Sequence, residues 1–137
     1  MGRVINPESA GKERNQLVKS IVLVLRILMA QEQPDKSTYD MAAYIVLALR
    51  KIYDSIDLSV AAWEKRGYWV KADRFRMEWA WTGSVSDSMK QALFDNDLVS
   101  VAMNAAKVAG KFSGVKVPVN HRMGTPWVGA WDVLRQK

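Results

Sequence analysis

Apolar residues recur at helical spacing from the first third of the chain onward. Leu17, Ile21, Val24 and Leu28 are 4, 3 and 4 residues apart, which is one face of a helix, and Val18, Val22, Leu25 and Met29 form a second stripe beside it. So wide an arc exceeds what one neighbour covers, so this helix is expected to sit centrally or in a subunit interface. Asn6 reads as its N-cap with Pro7 at the first helical position, and Pro34 stops it.

A second run, Met41, Ile45, Leu49, Ile52, Ile56, Val60 and Trp63, keeps spacings of 3 and 4 without a glycine or proline. It predicts one helix from Ser37 to Lys65, about 43 Å long, capped by Ser37 or Thr38 and stopped at Arg66-Gly67. The third helix is the stretch WVKADRFRMEWAW, residues 69–81, in which aromatic and charged side chains alternate. At 100° per residue Lys71, Arg74 and Glu78 share one sector, flanked by Val70, Met77 and Trp81 on one side and Ala72, Phe75 and Trp79 on the other. Trp69 falls opposite that sector, and Asp73 and Arg76 project toward the Trp69 side. A stacking platform for bases would need aromatics and bases interleaved on one exposed face, so the spacing favours a core helix.

TGSVSDS, residues 82–88, interrupts the pattern, and Ser84 or Ser86 is expected to cap a short helix through Phe94. DND at 95–97 caps another, in which Leu98, Val101, Ala102, Ala105, Val108 and Ala109 face inward until Gly110 or Gly114. The remaining residues hold two prolines, yet also Trp127, Val128, Trp131, Val133 and Leu134. They read as an extended tail that docks, with a short helix from Val128 to Arg135. The expected fold is an all-α antiparallel four-helix-type bundle over 1–114. Residues 115–137 form the extended, partly docked C-terminal tail, packed on the bundle or on a partner subunit.

Length adds little to this, since 137 residues suit one domain. Composition adds more. With no cysteine, thiol catalysis, disulfides and most structural zinc sites are excluded. The most apolar run, Ile21 to Ala30, holds Arg26 and is half the length of a membrane span. The N-terminal residues lack a secretory pattern, and Asn6 stands where myristoylation after Gly2 needs Ser or Thr. A cytoplasmic protein is the expectation. The net charge of +6 gathers at the end: residues 107–137 carry six bases against Asp132 alone.

Candidate chemistry is thin. One histidine, His121, excludes the paired Glu-x-x-His of di-iron bundles, and nothing marks a nucleophile for it to activate; a loop residue bonded to backbone or solvent is the simpler reading. Neither AGKFSG nor GTPWVG is a phosphate loop. The residues therefore imply no catalytic group, cofactor or metal. The leading expectation is a non-enzymatic interaction protein, a homo-oligomer or part of a larger assembly, with Trp127 and Trp131, four apart, as anchors in a groove on the bundle or a neighbour. An alternative is a basic nucleic-acid-binding accessory protein using Lys12, Lys19 and Arg26, which are seven apart on the first helix, together with the basic tail. A third is a small-molecule or enzymatic pocket at Trp69, Asp73 and Arg76. Its simpler counterpart is an i,i+3 ion pair within the bundle or at its edge.

Overall fold

A computed structural model describes residues 7–136, and the proposed Asn6 cap lies outside them. The described chain is all-helical, with helices α1 (Pro7–Met29), α2 (Lys36–Lys65), α3 (Trp69–Phe94), α4 (Leu98–Lys111) and α5 (Ala130–Arg135). The long helix α2 is the hub. It packs along α3 on one side and α1 on another, and α5 lies across its N-terminal half. Met41, Ile45, Leu49 and Ile52 are wholly buried there, against Ile21 and Val24 of α1 and Met89 and Leu93 of α3.

The cap of α2 is Asp35, two residues before the expected Ser37. Ser37 N donates to the Asp35 carboxylate (2.8 Å), while Asp35 N donates to Thr38 Oγ1 (2.8 Å), so two orphan amides of the first turn are satisfied reciprocally. The Ser37 hydroxyl and the Ser37 amide, both donating to it, hold the Asp35 carboxyl below the usual carboxylate range.

The predicted break at TGSVSDS does not occur, and α3 runs unbroken through it. Its polar side chains are absorbed locally: Thr82 Oγ1 donates to Trp79 O (2.6 Å) and Ser84 Oγ to Trp81 O (3.2 Å). Buried Ser86 donates across to Val46 O on α2 (2.9 Å). Gly83 lies so close to α2 that a Cβ there would stand 2.8 Å from the Tyr53 ring. A stretch that looked like a loop is the crossing point of two helices, small because the backbones approach closely.

Two tight turns complete the frame. Asn96, at φ 55°, takes the left-handed conformation between α3 and α4, and Asp97 caps α4 by accepting from Ser100 N (3.1 Å). Beyond α4, Phe112 is buried with its ring centroid 5.2 Å from that of Trp81. The chain then runs back along α1, where Arg26 Nη2 donates to Val117 O (3.0 Å). The wide apolar arc of α1 is thus divided among α2, α4 and this returning segment. Leu17, Val22, Ile27 and Leu28 stay half-buried and Met29 is exposed.

Candidate functional site

The three residues expected to form a polar pocket are not gathered. The inward line of α3 is Ala72, Phe75 and Trp79, which packs with Trp63, Ile56 and Val60 in a small second core at the far end of the bundle. Trp69 is therefore 58% exposed, and Asp73 faces solvent. Arg76 turns to α2 instead: its guanidinium bonds both oxygens of Glu64 (2.9 and 3.1 Å), and its Nε lies 3.6 Å from Asp57. That two-pronged bond draws the Glu64 carboxyl down and the Arg76 guanidinium up. The difference is one of phase. Eight apolar side chains over 13 positions leave two possible inward lines, and the true one contains small Ala72 rather than Trp69.

The sequence reading passed over Arg14. It stands four and seven residues before Val18 and Ile21, on the core-facing stripe of α1, and is only 8% exposed. Nη1 donates to Ser55 Oγ (3.2 Å) and Ser59 Oγ (3.1 Å) of α2, and the guanidinium carbon lies 4.9 Å from the Phe75 ring centroid and 5.6 Å from that of Trp79. Burial lowers its pKa, with the Glu78 charge partly opposing. Among the described residues no carboxylate comes within ion-pair distance of it. The indole N–H of Trp79 is likewise buried without an acceptor. A base on an apolar stripe was the available signal.

The tail tryptophans are engaged within the chain. The Trp131 ring sits between Tyr39 of α2 and Phe94 of α3, with centroids 5.4 and 5.6 Å away. Its backbone N–H donates to Asp40 (3.0 Å), as does that of Gly129 (3.3 Å), so one α2 carboxylate receives two amides at the start of α5. Gly129 has φ 81°, which suits glycine at this turn. Trp127 is half-buried against the main core. His121 lies in the preceding loop, its Nδ1 accepting from Met123 N (3.2 Å). The bases Lys12, Lys19 and Arg26 all reach the surface of α1, but Arg26 is held by the returning tail.

A different surface stands out once the side chains are placed. Along α4, Val99, Ala102, Met103, Ala106 and Gly110 are all exposed and fall within one sector of about 100°. Val99 is 71% and Met103 61% exposed. The sector contains no charged residue, since Lys107 and Lys111 lie at its edge. Helix α4 leans on α3 and touches α1 only slightly. An apolar groove of about 320 Å³ opens between them, lined by Leu28, Met29, Pro34, Leu98, Ala102 and Ala105. A second cleft, about 430 Å³ between α2, α3 and the tail, is of mixed charge, with the Arg50–Asp87 ion pair at its side. Among the described residues no three of His, Asp and Glu converge as metal ligands would, and no helix is long and apolar enough to cross a membrane.

No family model matches this chain, and no curated protein or solved structure matches it.

Proposed function

We propose that this protein is a non-enzymatic interaction module that self-associates through the outer face of α4 and the groove beside it. The observation that carries this reading is the uncharged apolar sector from Val99 to Gly110, which continues into the groove at Leu28 and Met29. An apolar helix face left in water is a docking surface more often than a structural one. Its small residues, Ala102, Ala106 and Gly110, let a second helix approach closely.

A second copy is the favoured occupant because a face without charge is complementary to itself, as a two-fold interface requires. A helix of 14 residues is about 21 Å long and is too small alone for the roughly 800 Å² per partner of a stable interface. The groove, Met29 and Pro34 extend it. The net charge of +6 opposes association at long range, so added salt strengthens it. Nucleic-acid binding would show the opposite sign.

The test is the Met103→Glu variant. Its side chain is exposed, so the monomer should melt as before, while a buried unpaired carboxylate at the contact breaks the pair. Light-scattering mass after sizing should fall from dimer to monomer. An unchanged mass for Met103→Glu and Val99→Glu alike would remove α4 from the interface.

A further inference from the structure

The tip where α2 turns into α3 has a composition unlike the rest of the surface. Tyr68, Trp69 and Val70 stand there 54%, 58% and 67% exposed, one after another at the turn of a helical hairpin, where they line an open cleft of about 630 Å³ with Gly67 and Lys71. Around them Lys65, Arg66, Lys71 and Arg74 are also exposed. Residues 63–76 carry five bases against Glu64 and Asp73, and Glu64 is already held by Arg76. The positive charge of the tip is hidden when longer stretches are summed, because acids further along α3 and at the start of α4 cancel it.

This tip is held in shape. Gly67 takes φ 80° to turn the chain, and Tyr68 N closes the end of α2 by donating to Trp63 O (2.9 Å). The Trp63 and Phe75 rings meet edge to face at 5.0 Å, and the Lys71 ammonium lies 4.4 Å from the Trp63 ring centroid. The Arg76–Glu64 bond ties the two helices just behind. Tyr68, Trp69 and Val70 thus face outward on a braced support, and none of the described residues covers them.

The geometry points to docking of this tip on an anionic lipid surface, with Tyr68, Trp69 and Val70 entering the boundary between headgroups and acyl chains and the four bases meeting headgroup phosphates. Tryptophan and tyrosine belong at that depth, where one end of the ring is wet and the other apolar. The ring of bases complements a negative leaflet, and long lysine and arginine stems reach back to the headgroups while the tip enters. Val70 decides against a nucleic acid strand, because an aliphatic side chain offers no stacking face. Attachment is peripheral, through a few side chains and a charge ring, as for other surface-bound proteins.

Flotation of the full-length protein with phosphatidylcholine vesicles, with and without phosphatidylglycerol, tests it. The protein should float with the anionic vesicles at low salt, leave them as salt rises, and bind the neutral ones weakly. Changing Trp69→Ser and Val70→Ser together should weaken binding at least tenfold, by about one well-buried apolar side chain or more. Arg66→Ala or Arg74→Ala should each weaken it about fivefold on anionic vesicles only. Circular dichroism and melting should stay as in the parent, because all four side chains are exposed. Absence of flotation overturns the proposal, as does equal binding by the double serine variant. Displacement of the protein from vesicles by a thymidine oligonucleotide that needs the same residues would transfer the tip to nucleic-acid binding.

Discussion

The C-terminal tail and the outer face of α4 are both apolar segments at the margin of the helical bundle, and the fold treats them oppositely: the tail joins the main core and the α4 face does not. The tail carries large rings, and each finds a partner: Trp131 meets Tyr39 and Phe94, and its amide meets Asp40. The α4 face carries small and flexible side chains, and none of the described residues covers it. The groove that receives the tail tryptophans is on the bundle itself. Large aromatics bury so much area that a fold tends to use them itself, whereas a run of alanine, valine and methionine with no charge among it is costly to leave in water unless something covers it.

Equal truncations on the two surfaces should have unequal effects. Trp131→Ala should cost about 2–3 kcal/mol in urea unfolding, somewhat below the cost for a fully buried tryptophan because its ring is only half-buried. Met103→Ala should leave the dilute monomer within about 0.5 kcal/mol of the parent. Similar losses at both sites would erase the contrast. Next in size is Asp40→Ala, which removes the acceptor of two amides and should cost about 1–2 kcal/mol. The same change should speed tryptic cleavage at Lys116 and Arg122 as the tail loosens.

Arg14 sharpens the comparison from the other direction, as a polar group inside where the α4 face is an apolar group outside. Its charge is desolvated against two hydroxyls and two rings with no carboxylate in contact. Arg14→Met, which keeps the length and removes the charge, should hold stability constant or raise it by about 1 kcal/mol. Loss of stability in that variant, read from the denaturant midpoint, would show that the charge itself is used.

The smallest effect expected is that of acid. Asp35, Glu64 and Asp97 all have carboxyls held below their ordinary range, by bonds to Ser37, Arg76 and Ser100 respectively. Their unfolded forms take up protons first, so their stabilisation is fully present above the unfolded value near pH 4 and is lost as pH falls through the lower folded values. The melting temperature should fall on that limb and stay flat from about pH 5 to 8. Asp35→Asn and Asp97→Asn should make the limb shallower. The association mass should stay constant over the same flat range, since the α4 sector holds no titrating group.

Much of the frame was legible because it rests on periodicity. The pattern from Met41 to Trp63 specified the hub helix within a residue at its start, DND at 95–97 held the cap of α4, and the short tail helix expected from Val128 begins two residues later at Ala130. Two features were not legible. The serine-rich crossing at 82–88 resembles a loop until α2 is seen against Gly83, because smallness for close approach and smallness for a turn look alike along one chain. The phase of residues 69–81 was ambiguous because tryptophan suits both a core and an exposed tip, and only packing against Trp63 and Val60 settles which line faces in. The α4 face was hidden for a related reason: its residues match a buried helix, and only the slight contact with α1 exposes them.

The most direct measurement is the mass of the intact protein by sedimentation equilibrium across a range of concentrations at moderate salt. A reversible approach to twice the 15.5 kDa chain mass, reached at lower concentration as salt is raised, is the result expected of an uncharged α4 face meeting its copy. A mass that stays at one chain throughout would contradict it.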